Sequence, residues 1–425
     1  MPTSIPLQPS TPPRPASLPS AGVPQRRERV LVAMSGGVDS SVAAALLVEA
    51  GHEVVGVTMK TFCYDENQGP TRTCCGLDGI LDAKQVAERL GIAHYVFDVE
   101  EEFTRDVIDD FVAEYAQGRT PNPCVRCNST TKIRDLMMRG RALGCDAIAT
   151  GHYVRIEHPP EGPPRLHRGA DAEKDQAYFL WGLPRELLPQ LRFPLGALTK
   201  SQVRDLARER GLVTAEKPES QEICFVPTGD YRGFLAKRLA PRHPALEPGP
   251  IVTLDGERVG EHRGYAGFTV GQRRGLGGGF SERLFVVEVR PETREVVVGP
   301  REALDAAGMV VEEVHWLGDL PGDPGSPEGV AVGVQIRHRA GSVPGRLFLD
   351  HERPRPTEAP GESEAPGESG APGASGASAM DSNGPPSRVR IRFDTPQPAV
   401  TPGQSAVFFQ KDQVLGGGRI SAAGC

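Results

Sequence analysis

The stretch AMSGGVDS at residues 33–40 constrains the fold of this chain more than any other feature. A basic and apolar segment precedes it, and residues 41–50, which are typical of a helix, follow it and end at a glycine. The stretch is therefore predicted to form the turn between a strand and a helix. Because glycine has no Cβ, Gly36 and Gly37 let the backbone approach an anion closely. The N-terminus of the following helix favours negative charge, so this turn predicts a phosphate-binding loop.

The spacing of this loop excludes two common nucleotide-binding motifs. No lysine follows the glycines as GxxxxGK[ST] requires, and the glycines do not have the spacing of GxGxxG. The letters SGGVDS resemble the pyrophosphate loop of the ATP pyrophosphatases, enzymes that split ATP between its α- and β-phosphates and adenylate an oxygen. Ser35, Ser40 and Ser41 would add hydroxyl donors to the anion. A plain glycine-rich turn is the alternative interpretation.

Strand-like and helix-like segments alternate from residue 27 to about residue 211, which predicts a parallel sheet with helices on both faces. Ligands bind such sheets at the carboxyl ends of the strands, so separate loops are expected to meet there. These loops are residues 33–40, 76–78, 122–127 and 151–152. The predicted strands after the first are residues 53–59, 94–98 and 146–150, and the predicted helices are residues 80–90, 103–117 and 128–143.

The rest of the chain has short strands and segments without a core. Strands are predicted in a small central domain, residues 216–282, and in a C-terminal β-barrel, residues 283–425. Residues 1–26 predict a disordered tail before the N-terminal domain of residues 27–215. Residues 353–386, which contain the repeat EAPGES, predict a disordered insertion because Pro, Gly, Ser and Glu cannot bury a core. The predicted barrel strands are residues 284–289, 295–298, 330–338, 345–349, 389–393 and 405–410.

Composition and net charge limit the classes of protein to which this chain can belong. The chain has 425 residues, no stretch of 18 consecutive apolar residues and no apolar segment typical of a secretory signal, so we expect a cytoplasmic protein without a membrane span. The net charge of −7 does not indicate nucleic-acid binding, although a local basic face is compatible with it. The eight cysteines in such a chain suggest thiol chemistry or metal binding rather than a disulfide scaffold.

Two cysteines lie in the sequence NPCVRCN at residues 122–128, just before a predicted helix. A helix N-terminus lowers the pKa of a thiol and makes it more reactive. A zinc half-site is an alternative, but no second CxxC completes it. A thioredoxin-type pair is another, although this CxxC lies far from the first βαβ unit. A further thiol, Cys224, follows about a hundred residues later and would by itself be read as a packed cysteine.

Together these segments resemble one family, the tRNA-specific 2-thiouridylases, which place sulfur on C2 of the wobble uridine. The similar segments occur in the family's order and cover residues 27 to about 420. The N-terminal tail and the EAPGES insertion have no counterpart in it. The segments are AMSGGVDSS (33–41), TCCGLD (73–78), GRTPNPCVRCN (118–128), ATGHY (149–153), KDQAYF (174–179), SQEICF (220–225), GFTVGQRRG (267–275), QIRH (335–338) and TPGQSAV (401–407).

The resemblance implies an α/β fold with an N-terminal parallel-sheet ATP pyrophosphatase domain of the adenine nucleotide α-hydrolase type, a small central domain and a C-terminal β-barrel. It implies that Cys127 is the nucleophile and that Cys224 carries a persulfide. Many family members have Asp where this chain has Cys124, which places three thiols near one another. The implied ATP contacts are Ala33, Met34, Ser35, Gly36, Gly37, Val38, Asp39, Ser40, Met59 and Gly151. The implied contacts to the target base are Asn122, Pro123 and Cys124, and those to the rest of the tRNA are His152, Lys174, Asp175, Gln176, Arg337, His338 and Gln404.

The chemistry of the residues agrees with these implied roles. Replacing a carbonyl oxygen by sulfur requires that the oxygen become a leaving group, which adenylation by ATP achieves. Asp39 and Asp78 are candidate ligands of Mg²⁺ on the phosphates, although Asp39 is equally interpreted as a helix cap. A persulfide is then a strong nucleophile, and a second thiol resolves it as a disulfide. The expected partners are tRNA and a persulfide donor, either a sulfurtransferase or a cysteine desulfurase relay.

Three other functions fit parts of this pattern. An ATP pyrophosphatase that forms amides on a small molecule needs the loop but neither Cys127 nor Cys224. An iron–sulfur tRNA thiolase would use Cys124, Cys127 and Cys224 as cluster ligands. A tRNA-binding protein without catalysis needs neither the loop nor the thiols. Without the resemblance, the polar residues assigned to tRNA are also interpreted as solvated surface, and residues 272–274 as either a phosphate-contacting loop or a charged turn.

Overall fold

A computed structural model describes residues 27–62, 77–219, 223–226, 229–277, 282–350 and 387–424 of the chain. The elements of the N-terminal region alternate between strands and helices, as the sequence predicts. In chain order they are β1 (Arg29–Ala33), α1 (Val38–Glu49), β2 (Glu53–Lys60), α2 (Leu77–Leu90), β3 (Ala93–Asp98), α3 (Glu100–Phe103), α4 (Asp109–Ala116), α5 (Pro123–Arg126), α6 (Leu136–Ala142), β4 (Ala147–Ala149), β5 (Val154–Glu157), β6 (Arg165–Arg168), β7 (Leu191–Arg192) and α7 (Lys200–Glu209).

Five of these strands form one parallel sheet in the order β3-β2-β1-β4-β7. The central strand β1 is buried on both faces. Leu31 packs with Leu136 of α6 on one side, whereas Val30 and Val32 pack with Val42 of α1 on the other. Because both faces are covered, the strand is a continuous apolar run rather than an alternating one. The predicted parallel sheet with helices on both faces is confirmed.

The helix that carries the CxxC sequence begins earlier than predicted. Helix α5 starts at Pro123, and a π-helical segment, Cys127–Asp135, joins it to α6 without a break. The prediction that both thiols precede the helix is therefore wrong, because Pro123 occupies the first helical position, where its missing N–H costs nothing. A similar π-helical segment, Thr104–Ile108, joins α3 to α4. Such segments are frequent at functional sites.

A second sheet forms the middle of the chain. This region contains the helix α8 (Tyr231–Arg238) and the strands β8 (Gly249–Thr253), β9 (Arg258–His262), β10 (Phe285–Arg290) and β11 (Glu295–Gly299). The strand order in the sheet is β10-β11-β8-β9. Strands β10 and β11, which the sequence analysis assigned to the barrel, therefore belong to the central sheet. Their apolar pattern suits either sheet, and only the parallel pairing of Val296–Val298 with residues 251–253 distinguishes the two.

The last six strands close into an antiparallel barrel. They are β12 (Asp305–Trp316), β13 (Val330–Gln335), β14 (Val343–Leu349), β15 (Val389–Pro398), β16 (Ser405–Gln410) and β17 (Gln413–Ala423). Strand β12 pairs with both β15 and β17, and this double pairing closes the ring. The predicted barrel is confirmed, although β12 and β17 were not predicted. The hairpin of β5 and β6 extends the barrel sheet beside β17, so part of the N-terminal region is joined to the barrel.

Several predicted features fall outside the described residues. These are the tail (1–26), the whole insertion (353–386), Gly76 and the cysteines Cys63, Cys74, Cys75 and Cys425. Within the ranges that the structure describes, none of the helices combines the length and the apolar character that crossing a membrane requires.

Candidate functional site

The predicted phosphate loop joins β1 to α1 at the carboxyl edge of the sheet. Gly36 has a φ of +69°, and a Cβ on it would lie 2.1 Å from the carbonyl oxygen of Gly79 at the start of α2. Only glycine fits this position, so the loop is pressed against the N-terminus of a second helix. The hydroxyls of Ser40 and Ser41 donate to the Gly37 carbonyl at 3.2 and 2.8 Å, which shapes the loop from within.

Asp39 is held by two groups that come from distant parts of the chain. The Tyr153 hydroxyl donates to its Oδ1 at 2.7 Å, and Lys200 Nζ contacts both oxygens at 2.7 and 2.8 Å. The N-cap of α1 is Gly37, without a side-chain cap, so the interpretation of Asp39 as a cap is wrong. Burial, then the charge of Asp39, raise the pKa of Tyr153, which keeps its hydroxyl a donor.

The other predicted ATP contacts surround this loop. A Cβ on Gly151 would lie 2.8 Å from the backbone of Asp39 and Ser40, so the end of β4 touches the first turn of α1. Met34 and Met59 are buried at the ends of β1 and β2. A lysine that the sequence did not indicate, Lys217, donates to the Gly36 carbonyl at 2.9 Å.

The three predicted thiols line one cavity of about 1040 Å³. Cys127 is buried, Cys224 is half-buried and Cys124 is exposed. The cavity lies between the helix that starts with α5, the segment around Cys224 and the end of β13. Residues that are far apart in the sequence therefore line the same cavity. Six further predicted contacts also line it. They are Pro123, His152, Lys174, Asp175, Gln176 and His338.

Three predicted tRNA or base contacts do not line this cavity. Asn122 lines a separate space of about 250 Å³. The Gln404 amide donates to the carbonyls of Thr120 and Pro121 at 2.8 and 3.3 Å, so this barrel residue fixes the segment that leads to α5. Arg337 donates to the carbonyl of Pro398.

Arg168, a residue that the sequence analysis missed, links the cavity wall to the barrel. Its guanidinium donates to Asp175 at 2.6 Å and to Gln335 at 2.8 Å, and it lies 3.6 Å from the centre of the Phe409 ring. The Gln335 amide in turn donates to the carbonyls of residues 337 and 338. Arg168 thus connects the segment with Asp175 to the segment with His338. No local sequence signal marks this role, because Gln335 lies 167 positions further along the chain.

The two histidines of the cavity are neutral. Burial, and then the charge of Lys132, lower the pKa of His152 to about 3, and its Nδ1 lies 2.6 Å from the Thr150 hydroxyl. Burial and the neighbouring Arg339 also lower the pKa of His338, whose ring centre lies 4.4 Å from that of Phe179. Both rings can therefore hydrogen-bond or stack, but neither supplies a positive charge at neutral pH.

Glu219 connects the phosphate loop to the cavity. It lines the cavity and accepts from Lys174 at 2.9 Å and from Lys200 at 3.2 Å, and Lys200 is also the partner of Asp39. Burial opposes ionisation of this carboxyl, but the Lys174 hydrogen bond and the Lys200 charge prevail and lower its pKa. The two halves of the site therefore share one chain of ion pairs.

Comparison with known sequences covers all three folded regions. The chain matches family profiles described as a tRNA methyl transferase HUP domain over residues 28–228, a tRNA methyl transferase PRC-barrel domain over residues 232–300 and an aminomethyltransferase β-barrel domain over residues 378–420. A solved 4-thiouridine synthetase–RNA complex with bound ATP aligns with 50% of this chain and 50% of that chain, at 14% identity and a TM-score of 0.31.

Several curated proteins are much more similar. The tRNA-specific 2-thiouridylase MnmA of Rhizorhabdus wittichii is 46% identical over 93% of this chain and 92% of that protein. Those of Geobacter metallireducens and Chloroflexus aurantiacus are 46% and 44% identical, over 93% and 92% of this chain and 98% of each protein. Similarity of this level over nearly the whole length shows that the chain belongs to the family of the tRNA-specific 2-thiouridylases.

Proposed function

We propose that this protein is a tRNA-uridine 2-sulfurtransferase that replaces the C2 oxygen of the wobble uridine, U34, by sulfur at the expense of ATP. One observation carries the proposal. The two thiols that sulfur transfer requires, Cys127 and Cys224, line one cavity, and Glu219 connects that cavity to a glycine-rich phosphate loop. The large share of each relative that the chain covers supports the same activity.

The first step is adenylation of the base. ATP binds with its phosphates at the loop around Gly36 and Gly37, where backbone N–H groups and the α1 N-terminus favour anions. The uridine O2 attacks the α-phosphorus, the bond to the bridging oxygen breaks, and pyrophosphate leaves while the N3 proton passes to solvent. Mg²⁺ takes one or two carboxylates in addition to phosphate oxygens. Asp39 and Asp78 fit this requirement, and Lys200 would then share Asp39 with the ion.

The second step transfers sulfur. The terminal sulfur of a Cys224 persulfide attacks C2, a carbon–sulfur bond forms, and AMP leaves with the former O2. The Cys127 thiolate then attacks the Cys224 sulfur, which breaks the sulfur–sulfur bond, leaves the thiocarbonyl on the base and forms a Cys127–Cys224 disulfide. An external dithiol reduces this disulfide for the next cycle. N3 regains a proton as the thiocarbonyl forms.

The partners follow from this chemistry. The protein needs tRNA, ATP and a donor that delivers a persulfide sulfur to Cys224, either a sulfurtransferase or a cysteine desulfurase relay. Lys174, Asp175, Gln176 and the neutral rings of the cavity would contact the anticodon loop. We place the protein in the cytoplasm, where these partners meet.

One alternative has its own structural support. Cys124 lines the cavity with the other two thiols, as a cluster-dependent thiolase would require. However, within the described ranges no group of three or more His, Cys, Asp and Glu side chains is arranged to hold a metal ion. An amide-forming ATP pyrophosphatase has no use for the two thiols at the cavity, so the geometry favours sulfur transfer.

Mass spectrometry of U34 tests the proposal. The purified protein is incubated with tRNA, ATP, Mg²⁺ and a persulfide donor, and the nucleosides are then analysed. We expect 2-thiouridine at U34 and one AMP per thiouridine. Pyrophosphate release that responds to small acids but not to tRNA would instead indicate an amide ligase. Activity that requires anaerobically bound iron would indicate the cluster enzyme.

A further inference from the structure

Asn128, the residue after Cys127, has a buried hydrogen-bond acceptor for which the protein supplies no donor. The residue is 4% exposed and lines the reaction cavity. Its Nδ2 donates to the carbonyl of Phe179 at 3.4 Å, which fixes the amide with Oδ1 as the other atom. Among the described residues, no donor reaches this Oδ1. A buried acceptor without a partner is costly, so its presence beside the nucleophile calls for a ligand.

A second buried group in the same cavity also has no partner. Thr61, at the end of β2, is 2% exposed and lines the cavity, and none of the described residues hydrogen-bonds its hydroxyl. The rings of Phe179 and His338 form part of the wall, and unstacked bases bind to such rings. The cavity therefore suits a planar heterocycle that has an N–H donor and carbonyl acceptors.

We propose that Asn128 Oδ1 accepts the N3–H of the target uracil and thereby selects uracil against cytosine. Uracil carries a hydrogen on N3, whereas N3 of cytosine is itself an acceptor and would face the Asn128 oxygen with repulsion. The hydrogen bond also increases the electron density on the adjacent O2, the atom that attacks ATP. This inference rests on the proposed function and identifies how the same site recognises its base.

The chain offers a matched control on the same helix. Thr131 is fully buried, and none of the described residues hydrogen-bonds its hydroxyl, but it does not line the cavity. Asn128→Leu and Thr131→Val each remove an unpaired buried polar atom at similar side-chain size. Asn128→Leu also removes the Nδ2 donor of the Phe179 carbonyl, so we expect its melting temperature to fall modestly, whereas Thr131→Val should melt close to the wild type. Only Asn128→Leu should affect catalysis.

The test is a cycle of two proteins and two bases. Rates of U34-dependent pyrophosphate release are measured for wild type and Asn128→Leu with uridine or 3-deazauridine at position 34. We expect Asn128→Leu to lower kcat/KM for uridine by about 10- to 100-fold, as loss of a buried hydrogen bond predicts. The deaza atom changes the chemistry equally in both proteins, so its additional cost to the wild type reports the contact. The preference for U34 over C34 should fall by the same factor.

The outcomes separate this inference from the proposed function. If wild type releases no pyrophosphate and forms no 2-thiouridine with U34, both proposals fail. If wild type is active but Asn128→Leu stays within about twofold of it, the Asn128 contact is wrong and the function stands. An equal penalty for 3-deazauridine in both proteins, or an equal loss in Thr131→Val, also overturns the contact. Because the contact is read from the difference between the two proteins, Asn128→Ala takes the place of Asn128→Leu in the same cycle if the latter does not fold.

Discussion

The phosphate loop and the reaction cavity differ in whether their buried polar groups have hydrogen-bond partners within the protein. In the loop, the hydroxyls of Ser40 and Ser41 and the carboxylate of Asp39 are satisfied by other groups of the protein. In the cavity, Asn128 and Thr61 have buried polar atoms that no described residue pairs. The loop is therefore organised before its ligand arrives. The cavity, in contrast, is completed only when a base supplies the missing partners.

This difference suits the two ligands. Every ATP presents the same phosphates, so a rigid loop of fixed backbone N–H groups avoids the entropic cost of ordering at each cycle. The base must instead be distinguished from three others, and unpaired buried groups reject a base that cannot satisfy them. Glu219 lies between the two regions and contacts Lys200 on one side and Lys174 on the other.

The largest expected effects come from substitution of the thiols. These variants should distinguish adenylation at the loop from sulfur transfer in the cavity. Cys127→Ser and Cys224→Ser should each lower 2-thiouridine formation by about 10³-fold or more, because each removes a group that forms or breaks a bond. Pyrophosphate release should persist in Cys224→Ser, since adenylation depends on the loop. Cys127→Ser should still accept a persulfide on Cys224, which mass spectrometry of the labelled peptide detects.

Cys124→Ser is the matched control, because Cys124 lines the same cavity but is exposed. Peptide mapping after turnover should find a Cys127–Cys224 disulfide in the wild type and in this variant. A disulfide formed only between Cys124 and Cys127 would contradict the assignment and make the CxxC pair the redox couple.

A substitution in the loop should weaken ATP binding more than it changes the cavity. Gly36→Ala places a Cβ 2.1 Å from the Gly79 carbonyl at a φ of +69°, which should cost about 2–4 kcal/mol and weaken ATP binding by at least about tenfold. In Gly37→Ala the nearest atom is 3.5 Å away and φ is −96°, so the cost should stay below about 1 kcal/mol. Calorimetric titration with ATP and thermal melting measure both effects. Equal losses in the two variants would show that the loop is not rigid at Gly36.

A smaller effect is expected where the cavity wall meets the barrel. Arg168→Met and Gln335→Leu break the link between the segments of Asp175 and His338, so we expect each to raise KM for tRNA with little change in kcat for saturating tRNA. The double variant should lose less than the sum, with a coupling of about 0.5–3 kcal/mol. Arg155→Met is the control, because it removes an exposed ion pair with Asp412 and a hydrogen bond to the Arg168 carbonyl but leaves the Arg168 guanidinium in place. Additive losses would mean that the two residues act independently.

The sequence predicted the loop well because its chemistry is local. The turn, its glycines and the helix that follows occupy residues 33–49 without interruption, and the parallel sheet follows from the alternation of elements. Lys200, Arg168 and Gln335 were missed because each has a partner that is more than 160 positions away in the chain. Asp39 and Lys200, for example, are 161 positions apart. No pattern within a window of residues carries that information.

The missed strand β17 has a different cause. Its three consecutive glycines, Gly416–Gly418 in the sequence GGG, weaken a strand prediction because glycine has low strand propensity. The structure explains them. A Cβ on Gly417 would lie 2.7 Å from the Trp181 ring, and one on Gly418 would lie 2.6 Å from the Glu312 carbonyl. Close packing against neighbouring elements, rather than strand propensity, selects glycine here.

The smallest expected effect concerns pH and the neutral ring of His152. Burial and Lys132 lower its pKa in the folded protein to about 3, whereas the unfolded chain has a pKa of about 6.5. The unfolded state therefore binds the proton first, so this histidine stabilises the fold above pH 6.5 and loses that contribution progressively as the pH falls from about 6.5 to about 3. Between pH 7.5 and 5.5, wild type should lose at most about 1.4 kcal/mol more than His152→Gln. Urea unfolding at the two pH values measures the difference, and the other histidines cancel because both proteins contain them. An identical pH dependence in the two proteins would show that the pKa of His152 is the same in the folded and unfolded states, and its ring would then be solvated rather than buried.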